Sequence, residues 1–369
     1  MNGGNAVAGS RPTAGIVSQG YGYASQHAAA MSQAGGIDAA GYQNQAFYAQ
    51  LGGQPGLDAA AGLNQMASMY AAAAGMPANT SAGAPMGMGG ASAGGQQVMM
   101  GSDNETLYNL MIDLFSATHR EGALAELSRR RDHNPDLGVA LWNAYGVMTI
   151  LYQEIIVIYP LLNPPALTMA VSNRACNSLA LLQLVATHEQ TRMQLLKANV
   201  PQLLYPFLST TSRNKQYDNL RLTSLGVIGA LVKYDNHEVI SFFVATEFLP
   251  LCLKIMDIGS ELCKVVATFI FQKIILDEGG FQYVTSHPKR LRTVLVILDN
   301  VIGQMVTAPS GRLLKSVTKC LIRLADNPKA KEELQANLSE HLRNSTFAQV
   351  LAEDVAYRRL VFQLMAKLA

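Results

Sequence analysis

Apolar positions in the C-terminal two-thirds of the chain recur at helical spacing, and one amphipathic block returns several times. A basic residue opens a helix, a polar turn ends it, and a further apolar helix follows. The first copy runs from Arg174 to Phe207 and the second from Arg221 to Met256. A third begins at Lys264, and a degraded fourth begins near Lys315. The first three basic positions lie 47 and 43 residues apart, within the range of armadillo and HEAT repeats. Such a unit cannot bury its apolar face alone and must stack on its neighbours. The expected fold is therefore an all-α armadillo/HEAT-like helical-repeat solenoid of about six repeats, with about 15 or more helices and no sheet.

Local signals place the elements. A helix is predicted after Ser102 and Asp103, carrying Leu107, Leu110, Met111, Leu114 and Phe115 at helical spacing. A second, Glu121–Arg131, turns Leu124 and Leu127 inward and Arg129–Arg131 outward. Leu137–Ile158 reads as one long, nearly all-apolar helix, to be covered by protein on most sides. Asp277-Glu278 before Gly279-Gly280 reads as a helix end with a C-cap glycine.

Composition divides the chain unequally. Residues 1–101 hold 21 of the 31 glycines and only three charges, Arg11, Asp38 and Asp58. So few branched apolar residues cannot offset chain entropy. Residues 1–102 are thus expected to form a disordered low-complexity Gly/Ala/Gln/Met-rich arm, and 103–369 the repeat domain. From Asp103 onward the net charge is +3, so any nucleic-acid affinity requires local clustering. Cys176, Cys252, Cys263 and Cys320 form no CxxC and read as reduced thiols. No secretory signal opens the chain. Asn143, Gln153, Glu154 and Pro160 interrupt the longest apolar stretch, Val139–Leu162, which suits no membrane span. A cytoplasmic or nuclear location is expected.

Enzymatic signatures are weak. No phosphate loop, dinucleotide fingerprint or HExxH occurs, and the GASAG at Gly90–Gly94 falls in the arm. The seven histidines have no metal-ligand spacing. His188 and His237 fall at one point of two repeats, where a polar residue need only cap a helix. Neither enzyme, metal nor cofactor is expected.

Basic residues carry more information. Arg312, Lys315, Lys319 and Arg323 share one face of a predicted helix. Leu313, Leu314, Val317, Cys320, Leu321 and Leu324 share the other. Arg174, Arg221 and Lys264 open equivalent helices, with Arg312 or Lys315 in the fourth copy. Stacked helices lie about 8–10 Å apart, so these charges are expected to form a ladder free of acids that attracts phosphates or acidic peptides. Gly226 and Gly229 interrupt an apolar helix at a cost of about 1 kcal/mol each against alanine. They permit close helix contact, the reading for Gly229, or close approach of a ligand, the reading for Gly226 beside Arg221.

Five segments carry a resemblance: LRLTSLGVIGALVK (220–233), SNRACNSLALLQ (172–183), PDLGVALW (135–142), NPPALT (163–168) and TFAQVL (346–351). In these the chain resembles the Rcd-like cell-differentiation family, the armadillo subunit of the Ccr–Not deadenylase complex. The resemblance covers about 106–369. It implies a non-enzymatic adaptor that docks on the large scaffold subunit and presents a concave surface to short linear peptides and to RNA. The implied outcome is mRNA deadenylation, decay and translational repression in cytoplasm, decay granules and nucleus; a homodimer is known in the family. The implied scaffold-docking residues are Asn143, Tyr145 and Thr149, where animal members carry His and Ala in place of Asn143 and Thr149. The implied peptide groove comprises Asn219, Arg221, Gly226, Leu262, Val265 and Val266. Asn219 replaces an aromatic there, for which Tyr217 is expected to compensate. The implied tryptophan pockets fall at Pro288, Arg290, Lys329 and Glu333. Glu333 resists desolvation, so tryptophan recognition is expected to be weak or lost. The implied basic face is Arg174, Arg221, Lys264, Arg312, Lys315, Lys319 and Arg323. A direct, sequence-indifferent nucleic-acid-binding regulator is the alternative. An import-receptor reading is disfavoured, because those solenoids repeat tryptophans and this chain has only Trp142.

Overall fold

The computed structural model describes residues 105–369. The expected low-complexity arm, 1–102, and the GASAG segment lie outside the described residues. The described residues are helical, with no strand among them.

Two helices come first, α1 (105–113) and α2 (Arg120–Arg130). Three-helix repeats follow. The first is α3 (Leu137–Asn143), α4 (Val147–Ile156) and α5 (Met169–Thr187). The second is α6 (Glu189–Lys197), α7 (Tyr205–Ser209, after a 3-10 turn) and α8 (Lys215–Val232). The third is α9 (His237–Ala245), α10 (Phe248–Ile258) and α11 (Glu261–Leu276). The fourth is α12 (Glu278–Thr285), α13 (Pro288–Gln304) and α14 (Gly311–Leu324). The last comprises α15 (Pro328–Asn337), the short α16 (Glu340–Arg343) and α17 (Ala348–Glu353), and α18 (Val355–Leu368).

The closing helices α5, α8, α11, α14 and α18 pack each against the next, and α2 extends that row. This gives six units, with α1–α2 as a truncated first one. Each polar turn is followed by two helices rather than one, and α9 meets α10 at a bend of 85°. The repeat is therefore armadillo-like. Polar ties between units span nearly one period, from Lys273–Asp235 at a separation of 38 residues to Arg323–Ile275 at 48.

Sequence chemistry explains the helix starts. Thr168, His188, Asn236, Ser260, Asp277, Asn327 and Asp354 each accept a hydrogen bond from a first-turn N–H. In α8 every residue from Leu220 to Val232 is buried, because neighbouring helices cover it on both sides.

Three expectations are corrected. The 137–158 stretch is two helices whose axes turn by 92°. Gly146, at φ +79, occupies the left-handed conformation at the break, and a Cβ there would lie 3.0 Å from the Phe115 ring. Asp277 follows the end of α11 and also caps α12, its carboxylate accepting from Gly280 N at 3.1 Å, so Gly279 and Gly280 lie in the first turn of α12 rather than at a C-cap. A Cβ on Gly280 would fall 2.0 Å from Ile274 O, which forces glycine at this close approach. Arg131 is buried, whereas Arg129 is exposed and pairs with Glu126 at 2.5 Å.

Candidate functional site

The three residues expected to dock lie at the α3–α4 bend. Asn143 ends α3, Tyr145 sits in the turn, and Thr149 lies in the first turn of α4; all are exposed. Tyr145 is 97% exposed, an unusual state for so large an aromatic surface. Phe115 packs beside Gly146, and Tyr108, Ile112 and Phe115 lie exposed at the end of the described chain. Helical spacing alone had marked Phe115 as inward. Phe115 and Tyr145 thus flank Gly146 as exposed aromatics, a mark of an interaction site.

The groove residues share the seam between α8 and α11. Cys263 Sγ, in the first turn of α11, lies 3.5 Å from Asp218 Oδ1 on α8. Asn219 and Leu262 are half-buried there, while Gly226, Val265 and Val266 are buried. The burial of Gly226 favours its packing role over a ligand contact. Tyr217 does not compensate for Asn219. It is buried, donating its hydroxyl to Leu161 O (3.2 Å) and accepting from Leu167 N (3.1 Å).

The basic ladder is interleaved with acids, contrary to expectation. Arg174 meets the buried Glu154 in a two-pronged contact at 2.5 and 2.8 Å, and Arg120 reaches the same carboxylate at 3.3 Å. Arg221 is 5% exposed and bonds Thr210 Oγ1 (3.0 Å), Thr210 O (3.3 Å) and Asp218 (3.2 Å). Lys315 pairs with Asp354 at 2.8 Å. Arg323 pairs with Glu278 (2.9 Å) and Asp326 (3.2 Å), and its guanidinium lies 4.1 Å from the Phe281 ring centroid. The apolar face of α14 is buried as its spacing predicts. Arg312 and Lys319 are half-buried on its other side. Lys319 makes no ion pair among the described residues.

These pairs make the fold acid-sensitive. Asp354 is held below the usual carboxylate value by Lys315 first and then by backbone N–H donors, against opposing burial. Burial opposes ionisation of Asp277 and Asp326, but His237 and Gly280, and Lys367 and Arg323, outweigh it and lower both. Glu126 is drawn down to about 2 by hydrogen bonds from Arg129 and Arg130. A depressed acid stabilises the fold fully above its unfolded value, and that contribution is lost as pH falls through the folded value. The thermal midpoint should therefore hold steady from neutral pH to about 5 and fall steeply below about 4. Asp354→Asn, which keeps the cap but not the charge, should blunt the fall measured by thermal melts across pH. An unchanged slope in that variant would count against the pairing.

The tryptophan-pocket residues divide. Pro288, Lys329 and Glu333 line one cleft of about 620 Å³ with Arg292. Arg290 instead stacks on Tyr283 at 3.7 Å and donates to its carbonyl. Arg292, missed in the sequence, holds Glu333 at 3.2 Å. It also lines a neighbouring cleft of about 420 Å³ with Leu295, Val296 and Leu334.

Ser241 Oγ lies 3.3 Å from His237 Nε2, and His237 Nδ1 lies 2.8 Å from Asp277 Oδ2. The order matches a nucleophile, base and acid. The His237 side chain is 71% exposed, however, and the backbone N–H groups of Gly279 and Gly280 bond Asp277 rather than facing a substrate. The three side chains tie α9 to α12. No cluster of three metal-ligating side chains occurs among the described residues. All four cysteines are buried, and none forms a disulfide. Burial first, and then the Asp218 charge, pushes the Cys263 thiol up to about 12.

Comparison with known proteins fits this architecture. The profile of the cell differentiation family, Rcd1-like, matches residues 110–368. The cell differentiation protein rcd1 of Schizosaccharomyces pombe is 52% identical over 263 residues, covering 71% of this chain and 93% of that protein. Protein CAF40 of Saccharomyces cerevisiae is 46% identical over 267 residues, 72% of each chain. Two designed armadillo repeat proteins share the fold. One, made for modular peptide recognition, has a TM-score of 0.52 at 16% identity, covering 71% of this chain and 99% of that one. The other has a TM-score of 0.51 at 14% identity, covering 71% of this chain and 100% of that one. With a family profile spanning the stack from α1 to α18 and relatives near half identity over the same span, the chain belongs to the Rcd1-like cell differentiation family.

Proposed function

We propose that the chain is a non-enzymatic adaptor subunit of the Ccr–Not deadenylase complex. It docks on the large scaffold subunit through Asn143, Tyr145 and Thr149 and offers the α8–α11 side of its solenoid to short peptides. Family membership supports the complex, and the exposure of Tyr145 and Phe115 on either side of Gly146 is the observation that carries the docking site. An aromatic left in water gains most when a partner covers it. The site acts in the cytoplasm, in decay granules and in the nucleus. RNA contact falls on the face of α14 around Lys319, because acids engage Arg174, Lys315 and Arg323. That quenching weakens the alternative of a direct nucleic-acid regulator.

Two variants separate the readings. Tyr145→Asp should weaken capture of the scaffold subunit at least about tenfold while RNA retention stays unchanged. Arg312→Glu with Lys319→Glu should do the reverse, with RNA retention falling most at low salt. Undiminished scaffold capture by Tyr145→Asp, read by co-purification from extract, would refute the docking assignment.

A further inference from the structure

One cleft shares only Arg221 and Lys264 with the residues that the sequence singled out. It opens along the edge where the second helices of three successive repeats end and the closing helices begin. Its volume is about 480 Å³. Arg213, Arg221, Lys254 and Lys264 converge on it, with Asp218 and Asp257 as the acids. Leu208, Ile255 and Ile258 supply an apolar wall.

The two lysines are held by neutral oxygens. Lys254 Nζ donates to Ser209 O at 2.8 Å. Lys264 Nζ donates to Asp257 O at 2.8 Å and to the side-chain oxygen of Gln304. Each ammonium therefore keeps an N–H uncommitted. Asp218 is taken by Arg221, and Asp257 faces Asn300 at 3.5 Å. Arg213 is exposed and makes no ion pair among the described residues. Lysines beside helix C-terminal carbonyls are stabilising in themselves, which accounts for Lys254 and Lys264 separately. It does not account for Arg213 standing close enough to Lys264 to repel it. Burial first pushes the Lys264 ammonium below its ordinary value; Asp257 offsets this in part, and Arg213 adds to the depression. An arriving anion relieves both costs.

We infer that this edge cleft seats the phosphate of a phosphorylated serine or threonine in a partner peptide. A polynucleotide is the poorer occupant. Its backbone needs a continuous rail, and Arg174, Lys315 and Arg323 on either side are paired with acids. The cleft lining contains no aromatic ring on which a base could stack. A peptide, in contrast, uses both the cations and the adjoining isoleucines, and Asp218 and Lys264 carry the cleft onto the turns of α8 and α11 that hold Asn219 and Leu262. Phosphate monoesters gain charge-assisted bonds from such donors. The inference rests on the adaptor reading only in taking a peptide as guest.

The test uses the immobilised full chain and two degenerate decapeptide pools, one centred on phosphoserine and the other on serine. At near-physiological salt the phosphorylated pool should be retained about tenfold better, and free O-phosphoserine should compete. Arg213→Ser with Lys254→Ser should bring the ratio to about one. Arg213→Ser alone, at an exposed position, should move it the same way without changing the melting temperature. Equal retention of the two pools, or a ratio unmoved by these variants, overturns the inference. So does loss of oligouridylate binding in the double variant when neither pool is retained, which would make the cleft a nucleic-acid subsite. None of these outcomes touches scaffold capture through Tyr145, so the two readings fail separately.

Discussion

Glu154→Ala is expected to lower the folding free energy by about 3–5 kcal/mol, the cost of breaking a buried ion pair from one side. Glu154 is buried in α4, yet two arginines converge on it: Arg174 at 2.5 and 2.8 Å and Arg120 at 3.3 Å. The substitution takes from both guanidiniums the carboxylate that repays their desolvation. Arg120 keeps its bond to Leu114 O at 2.7 Å and Arg174 keeps Glu121 at 3.9 Å, so each loses only part of its compensation. Urea unfolding should show a lower midpoint with an unchanged slope. Glu154→Leu combined with Arg174→Met should recover part of the loss, because an apolar pair of similar bulk avoids the stranded charge. A single-variant loss below about 1 kcal/mol would mean that water, not the carboxylate, balances these arginines.

Gly280→Ala is expected to cost about 2–4 kcal/mol and to lower the melting temperature by roughly 10 °C. The added methyl would stand 2.0 Å from Ile274 O and 2.9 Å from its carbonyl carbon, so backbone must move rather than a flexible side chain. Gly303→Ala is the matched control. It lies in α13, where an added methyl would meet nothing within 4 Å, and alanine there should be neutral or stabilising by up to about 1 kcal/mol. Equal melting temperatures for the two variants would remove the steric explanation for glycine at the start of α12.

The repeat period and the buried face of α14 were legible because the amphipathic phase repeats locally in sequence. The break at Gly146 was not, since a stretch apolar on every side has no phase to lose. Asp277-Glu278-Gly279-Gly280 was ambiguous because an acid can open a helix and a glycine can close one. Only the approach of Ile274 O to Gly280 decides it. The residues proposed to dock came from the resemblance, and the edge cleft was foreseen only in Arg221 and Lys264. Its cations sit at the ends of helices from different repeats, and no window of sequence brings Arg213, Lys254 and Lys264 together. Arg174 looked available for the same reason. Its carboxylate partner Glu154 lies across a loop in the preceding helix of the repeat.

The polar ties that span one period have a mechanical consequence. Lys273–Asp235, Arg323–Ile275 and Lys367–Ile322 each fasten a unit to its immediate neighbour. Load applied at the two ends therefore passes through every joint in series, as in a chain of links. The stack should stretch like a spring at small forces, and beyond that should come apart unit by unit from whichever joint yields first.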